Sequence, residues 1–483
     1  MPSTRRQFLT ASAAAAAASC AAPEPAAKAP NLVLVFPDQM RGSAMGFLGE
    51  EPVQTPRLDA FAKQSLALTQ AASIYPVCSP YRAMLMSGLF PRQSKVVSNC
   101  TNHSYAYGVE LQQADRCWSD VLADAGYSLG YIGKWHLEGP KEPYVESYNN
   151  RADIAWNEWT PPERRHGFGF WHAYNTYDRH MAPWYWTTEM GRDDRLKIEQ
   201  WGPEHEVDVA IEFLENAGGK RRDPAKPFAL VVSMNPPHTP YTQYPEDYRG
   251  AYSEVSDETL FSRPNIPAAG TSNGDYYRKN IRDYFSMTTG VDHQFGRLLD
   301  ALDRLDLAED TLVVFTSDHG DCIGIHEEQH KNNHFEESMR VPFLARFPGR
   351  IAPRRDSLLF SNIDIYPTVL DLLGLGDKIP AAVGGASHAA AFRGEKAGAP
   401  ESQVYLKMPF ENPERGRRGL RTERYTVMLD SDTGQTELYD RQKDPYQLEN
   451  LASEKAGLVA ELLEDGIQPW LDKGDDPWTA PKA

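Results

Sequence analysis

The chain has 483 residues, 41% of them hydrophobic, and this length predicts one large domain with a smaller one beside it. Its 50 Lys and Arg residues against 67 Asp and Glu residues give a formal net charge of −17. We therefore expect no nucleic-acid partner, because neutralising a phosphate backbone needs clustered Lys and Arg. An anionic substrate stays compatible with this charge if a few local cations outweigh the field of the whole chain.

The N-terminus predicts export. Residues 4–9, TRRQFL, form a twin-arginine pattern, and an Ala-rich apolar stretch covers 8–22. This stretch is shorter than the roughly 20 residues that span a bilayer, so it is typical of a bacterial signal peptide. Ordinary cleavage near Ala22 and lipidation of Cys20 both stay open. We expect a leader and tether over 1–30 and a periplasmic or extracellular protein, whose only membrane contact would be a lipid anchor on Cys20.

Four short apolar runs predict buried strands, at 31–36, 128–132, 228–233 and 312–315. Helical patterns lie between them, at 57–69, 117–125 and 276–305. Strands that alternate with helices predict an α/β fold with a large, mostly parallel sheet flanked by helices. Each run leads into ionisable residues, and ligands of open α/β sheets bind beyond the carboxyl ends of the strands.

The rest of the chain divides into a long excursion and a second domain. Residues 144–205 show no apolar period and are rich in Trp, Tyr and His, which predicts an excursion over the site side of the sheet. The composition shifts to Gly, Ala and Pro over 374–399, so we place a catalytic domain at 31–375 and a C-terminal subdomain at 376–483. Within the C-terminal subdomain, short strand-like runs at 403–407, 424–429 and 436–439 predict a small antiparallel sheet. A helical pattern over 455–472 follows them.

Two polar pairs at predicted strand ends are candidate metal ligands. Asp38-Gln39 follows the first run, and Asp318-His319 follows the fourth. Carboxylate and amide oxygens are the ligands that calcium takes, whereas a histidine is unusual for so hard a cation. His319 could instead contact the nucleophile or the substrate. The simpler interpretation of either pair alone is a polar strand end that caps a helix.

The segment Cys78-Ser79-Pro80-Tyr81-Arg82 is the sharpest local pattern. Alone it would predict only a buried cysteine before a helix that starts near Pro80. Ionisable residues also follow three predicted strands, and they are Lys134, His136, His238 and Lys331. A lone Lys or His is usually a solvated or core residue, but four of them at strand ends favour a common site.

With these motifs, the chain resembles the type I, formylglycine-dependent sulfatases of the alkaline phosphatase-like superfamily. The resemblance runs from 31 to about 452 and includes the C-terminal motifs 421–425 (RTERY) and 437–440 (ELYD). It implies that a separate formylglycine-generating enzyme converts Cys78 to formylglycine, whose hydrated aldehyde attacks the sulfur of a sulfate ester. It further implies that Arg82 supports this hydrate.

The same resemblance implies roles for the strand-end residues. One calcium ion would be held by Asp38, Gln39, Cys78, Asp318 and His319. Lys134 and Lys331 would bind sulfate oxygens, and His136 would take a proton from the formylglycine hydroxyl. His238, shared with Lys331, would protonate the leaving alcohol. Cations and a proton donor aimed at the breaking S–O bond stabilise the charge that develops there.

The substrate and two rival functions stay open. The aromatic excursion favours a sulfated carbohydrate, small molecule or oligosaccharide, and we predict Asn175, His180 and Arg418 as residues that contact it. A phosphate or phosphonate monoester hydrolase of the same superfamily is the nearest rival, because phosphate and sulfate are isosteric. A non-catalytic lipoprotein that binds sulfated glycans is the second, although every predicted catalytic residue is present. Cys100 and Cys117 could pair in an oxidising compartment, which would leave Cys322 alone.

Overall fold

The computed structural model describes residues 29–481. The predicted signal peptide and the lipidation of Cys20 lie outside the described residues. Within them, no helix combines the length and the apolar character needed to cross a membrane.

A ten-stranded sheet forms the centre of the protein. Its strands are β1 Asn31–Val35, β2 Leu66–Leu68, β3 Ser128–Lys134, β4 Phe170–Tyr174, β5 Trp184–Thr187, β6 Leu196–Lys197, β7 Phe228–Ser233, β8 Thr311–Thr316, β9 Phe343–Arg346 and β10 Arg354–Asp356. They follow the order β10-β2-β9-β8-β1-β7-β3-β4-β5-β6. The five central strands, β8 to β4 in this order, are parallel neighbours, so their carboxyl ends open at one edge. The four predicted strands all lie in this parallel centre.

Helices cover both faces of the sheet. The helices of the described chain are α1 Pro56–Ala62, α2 Cys78–Ser87, α3 Pro91–Ser94, α4 Asn102–Tyr105, α5 Trp118–Asp124, α6 Gly202–Glu215, α7 Glu246–Gly250, α8 Asp257–Leu260, α9 Ser272–Arg304, α10 Glu336–Met339, α11 Ile365–Leu372, α12 Ala389–Phe392, α13 Ala456–Glu461 and α14 Gln468–Lys473. Strand β1 sends Leu32 and Leu34 into one hydrophobic cluster, and Val33 and Val35 into another. Both faces of the strand are therefore buried, which explains its unbroken apolar run. The predicted α/β fold with a mostly parallel sheet is confirmed.

Two predicted stretches differ from the structure. The helix predicted over 57–69 ends at Ala62, because Leu66–Leu68 pairs with β9 and β10 instead of continuing the helical turn. The excursion over 144–205 is not only a loop, since β4, β5 and β6 extend the sheet from it. Strand β4 pairs in parallel with β3, and its Trp171 is a buried core residue.

A second, four-stranded sheet follows in the order β11 Ser402–Lys407, β12 Arg417–Thr422, β13 Tyr425–Asp430 and β14 Thr436–Asp440. Every neighbouring pair is antiparallel, as predicted. Strand β12 was not predicted from the sequence, because three of its six residues are arginines and it contains no apolar run. The predicted final helix forms as α13, a π-helical segment over 462–467, and α14. Cys100, Cys117 and Cys322 are all free thiols, so the possible pairing of the first two does not form.

Candidate active site

Cys78 is the first residue of α2, directly after the extended residue Val77. The hydroxyl of Ser79 donates to the carbonyl of His136 over 2.7 Å, and the backbone N–H of Ser79 donates to Asn99 Oδ1 over 3.1 Å. These contacts hold the helix N-terminus at the carboxyl edge of the sheet. Burial and the neighbouring Asp38 raise the pKa of the Cys78 thiol to about 12, so the unmodified thiol is neutral at pH 7.

Asp38 and Asp318 lie beneath Cys78, at the ends of the adjacent parallel strands β1 and β8. One carboxylate oxygen of Asp318 accepts the backbone N–H of Gln39 over 3.0 Å. Ligand atoms of Asp38, Cys78, Asp318 and His319 all lie within 4.8 Å of one another. Four candidate ligands from three separate segments therefore converge on one buried position.

His319 presents a single ring nitrogen to this cluster. Its Nδ1 lies 2.9 Å from the carbonyl of Gly320, which assigns the proton to Nδ1. Its Nε2 then faces Cys78 Sγ at 3.3 Å and Asp38 Oδ1 at 3.5 Å. Burial lowers the pKa of His319, and a neutral imidazole with a free Nε2 is the form that binds a metal.

Two of the protein's own cations lie against the two carboxylates. Arg82 Nη2 lies 3.1 Å from Asp38 and 3.0 Å from Asp318, and Lys134 Nζ lies 2.7 Å from Asp38. Burial alone would raise the pKa of Asp38, but Lys134 and the neighbouring histidines and arginine hold it well below its usual value. Burial and the charge of Asp38 raise the pKa of Asp318. A divalent cation fits this set of ligand atoms, because carboxylate oxygens are the ligands that calcium prefers.

Lys331, Gln39 and His238 form a second contact group above the cluster. Lys331 Nζ donates to the Gln39 side-chain oxygen and lies 3.0 Å from His238 Nε2. His238 Nδ1 lies 2.8 Å from the carbonyl of Thr239, which assigns its proton to Nδ1 and leaves Nε2 as the acceptor from Lys331. Burial and the charge of Lys331 lower the pKa of His238 well below its usual value. Lys331 therefore shares its proton with a neutral imidazole.

His136 is buried, yet neither ring nitrogen has a hydrogen-bond partner among the described residues. Its backbone has a φ of 54°, a left-handed conformation that is uncommon for residues other than glycine. Burial and the charge of Lys134 lower the pKa of the imidazole well below its usual value. An unpaired neutral imidazole, held by a strained backbone, is poised to accept a proton from a group in the cavity.

The predicted catalytic residues meet in one cavity of about 530 Å³. It is lined by Cys78, Asn99, Lys134, His136, Tyr148, Asn149, Arg151, Trp156, Thr176, Asp178, His238, Thr239, Pro240, His330 and Lys331. Arg82 lies below it and donates to the carbonyl of Lys134 over 2.7 Å. The structure thus brings together the predicted catalytic and metal-binding residues.

The three residues predicted to bind substrate are not among those that line this cavity. The Asn175 side chain is buried and bonds to the backbone of Glu138 and Trp156. His180 Nε2 donates to the carbonyl of His238 over 3.0 Å. Both residues bond to the backbone of cavity-lining residues, Trp156 and His238, and neither of their side chains lines the cavity itself.

Arg418 is the third of these residues. Its side chain is fully buried in the C-terminal sheet, where Nε lies 2.6 Å from Asp476 and Nη1 donates to backbone carbonyls. A guanidinium with these partners is structural and cannot reach a substrate in the cavity.

Sequence reasoning missed two residues that position the site. Asn235 Oδ1 accepts from Lys134 Nζ over 3.1 Å, while its Nδ2 donates to Asp178 over 2.9 Å. Asp178 in turn lies 3.5 Å from His238 Nδ1. The sequence could have indicated Asn235, because this residue is the first of the Asn-Pro-Pro-His segment that contains His238. No comparable pattern marks Asp178.

A helix N-terminus flanked by a carboxylate–histidine cluster and several cations defines a hydrolase of anionic esters. The sulfatase family matches residues 30–375, and the C-terminal family of N-sulphoglucosamine sulphohydrolase matches residues 324–468. This chain belongs to the sulfatase family, within the alkaline phosphatase-like superfamily. It is a sulfuric ester hydrolase.

Named relatives cover nearly the whole chain. An endo-4-O-sulfatase of Bacteroides thetaiotaomicron is 39% identical over 97% of both chains. An ulvan-active sulfatase of Formosa agariphila is 32% identical over 92% of this chain and 80% of its own length. The crystal structure of a Bacteroides fragilis protein assigned to the sulfatases, YidJ, superposes with a TM-score of 0.88 at 46% identity, over 93% of this chain and 97% of that one.

Proposed function

We propose that this sulfatase releases sulfate from a sulfated glycan, with formylglycine made from Cys78 as nucleophile and one bound calcium ion. The observation that carries the proposal is the convergence of Asp38, Cys78, Asp318 and His319 beneath a cavity of about 530 Å³. That volume is in the range of pockets for organic ligands rather than for a sulfate group alone. By their own names, one relative is active on ulvan and another is an endo-4-O-sulfatase.

Calcium and formylglycine each supply something that the side chains lack. Calcium, held by Asp38, Asp318, His319 and Gln39, would add positive charge beside the sulfate oxygens. Formylglycine would supply a hydroxyl nucleophile, which the Cys78 thiol with a pKa of about 12 cannot replace at neutral pH.

The chain's own residues provide charge and proton transfer around the sulfate. Lys134 and Lys331 line the cavity and bind sulfate oxygens, while Arg82 fixes the two carboxylates from below. His136 accepts a proton at a free ring nitrogen. The Lys331–His238 pair donates a proton to the leaving sugar oxygen, because the 3.0 Å contact lets either group carry it.

The deciding experiment is sulfate release from sulfated saccharides, aryl sulfates and phosphonate esters, with protein co-expressed with a formylglycine-generating enzyme. We expect release from a saccharide, lost in Cys78→Ala and after calcium chelation. Cys117→Ala is the matched control, because this buried free cysteine lies at the start of α5 and does not line the cavity, so its loss should leave the rate unchanged. Release of phosphorus but no sulfate, from protein whose mass shows converted Cys78, would contradict the proposal.

We also propose that the chain is exported through its twin-arginine leader, with a lipid anchor on Cys20 as the finer possibility. Replacing Arg5 and Arg6 by lysine should retain the protein in the cytoplasm of its host. Cys20→Ala should leave export intact and abolish labelling by a fatty-acid probe if the anchor exists. Unchanged export of the double-lysine variant would contradict the leader.

A further inference from the structure

Arg151 is a cavity-lining cation without an anionic partner. Among the described residues, its guanidinium donates to the carbonyls of Tyr148 and Asn150, at 2.7 and 3.1 Å, and lies 5.6 Å from the centre of the Tyr148 ring. No carboxylate of the described chain lies within ion-pair distance of it, whereas Lys134 and Arg82 deeper in the site both contact Asp38. The positive charge of Arg151 is therefore free for a ligand.

The backbone around Arg151 is held in place before any ligand arrives. Arg151 and Ile154 exchange two backbone hydrogen bonds, of 3.0 and 2.8 Å. Asn149 forms a two-way contact with Asp178, in which its Nδ2 donates over 2.6 Å and its Oδ1 accepts the Asp178 N–H over 2.7 Å. Because Asp178 also lies beside His238, the Arg151 loop and the catalytic wall share one anchor.

Two aromatic side chains accompany Arg151 in the cavity. Tyr148 is 43% exposed, and the Trp156 ring lies 6.2 Å from the ring of His136. Aromatic faces pack against the C–H faces of sugars, and a guanidinium recognises a carboxylate or a sulfate by two parallel hydrogen bonds. A sugar seated between the rings and the catalytic residues would present its substituents to Arg151.

We infer that Arg151, with Tyr148 and Trp156, forms a subsite for an anionic group on the sugar next to the scissile sulfate. The substrate class is then an acidic glycan that carries a uronate carboxylate or a second sulfate at this position. This inference rests on the proposed function, since it places the group relative to a sulfate bound at Cys78. Holding the loop in place beforehand favours binding because less conformational entropy is lost.

The test compares four sulfate monoesters: a sulfated disaccharide with a uronate neighbour, one with a second sulfate, one with a neutral neighbour, and 4-nitrophenyl sulfate. Removing a charge-assisted hydrogen bond should lower kcat/KM of Arg151→Gln by about 10- to 100-fold on an anionic disaccharide. The neutral disaccharide and the aryl sulfate should change less than about 3-fold, well below the loss expected for a charged contact. The anionic substrate that loses most identifies the group as carboxylate or sulfate. Arg151→Lys keeps the positive charge and should retain part of the preference for anionic over neutral disaccharides.

Arg195 supplies the matched control. It also donates to two backbone carbonyls and lies over an aromatic ring, 4.6 Å from the centre of Trp184, but it is not among the residues that line the catalytic cavity. Arg195→Gln removes the same charge and should leave all four rates unchanged. Equal losses in both variants, or equal losses of Arg151→Gln on neutral and anionic substrates, would overturn the subsite alone. Absence of sulfate release by wild-type protein from every substrate would overturn the proposed function and the subsite with it.

Discussion

Asp38 and Asp318 occupy equivalent positions on neighbouring parallel strands, each three residues beyond the paired residues Val35 and Phe315 of β1 and β8. Two carboxylates at matching strand ends must lie close together, and both are fully buried. Like charges at such a distance repel, which is why Arg82 bridges them and why the pKa of Asp318 remains raised. This pairing is the basis for the metal prediction.

Calcium is expected to stabilise the folded protein. A ligand that binds only the native state adds about 2.7 kcal/mol to the free energy of unfolding at 100 times its Kd. Thermal melting should therefore show a higher Tm with calcium and a return to the original Tm after chelation. Asp318→Asn removes one of the two carboxylates and should abolish most of the shift. An equal shift in this variant would place the calcium effect elsewhere on the acidic surface.

His238 should matter more for poor leaving groups than for good ones. A sugar alkoxide needs a proton as the S–O bond breaks, whereas a nitrophenolate leaves without one, and acid catalysis contributes about 10²- to 10⁴-fold. We expect His238→Ala to lose roughly this factor on a saccharide sulfate and far less on 4-nitrophenyl sulfate. A similar loss of kcat on both substrates would assign His238 to sulfate binding instead.

Asn235 is expected to act through Lys134 as a positioning residue. Its side-chain oxygen lies 3.1 Å from Lys134 Nζ, and a misplacement of about 1 Å can lower a rate about 10²-fold. Asn235→Ala should therefore reduce kcat by about 10- to 100-fold while KM changes little. Sulfate release and thermal melting, measured together, check this. A loss of rate that only follows the folded fraction would show a structural role alone.

The sequence could predict those parts of the site that rest on strand ends. Asp38, Lys134, His238 and Asp318 each follow a buried apolar run, and parallel strands bring such residues to one edge. The sequence could not predict which side chains contact one another across distant segments. The pairing of Arg418 with Asp476 joins positions 58 residues apart, and nothing in either segment marks it.

Strands β4 to β6 were missed for a different physical reason. The residues of β4 and β5 are aromatic on both faces, so the period of two that marks a half-buried strand is absent, and β6 is only two residues long. Burial of Trp171 and Tyr185 in the folded protein, rather than a local pattern, decides that these segments become strands.

Arg418 should prove important for stability and not for catalysis. Removing one partner of a buried ion pair costs about 3–5 kcal/mol, because the other charge is left unpaired. Arg418→Ala should lower the free energy of unfolding by about this amount, as measured with urea, and leave KM unchanged at a temperature where it is folded. Asp476→Asn should also lower the free energy of unfolding, because it leaves the Arg418 charge unpaired. A raised KM with normal stability would restore the substrate-binding interpretation.

Glu206 of α6 should make stability fall as the pH rises. Its side chain is fully buried, one oxygen accepts from Tyr185 over 3.0 Å, and the other has no partner among the described residues. Burial raises its pKa from 4.5 to about 8, so between these values the native state holds a proton that the unfolded chain releases. The free energy of unfolding then decreases by up to about 1.4 kcal/mol per pH unit from this group.

Glu206→Gln, which cannot ionise, should lack this slope and be more stable than wild type at pH values near 8. Glu204→Gln on the same helix is the control. Urea unfolding at several pH values checks the prediction, and parallel curves for wild type and Glu206→Gln would contradict it.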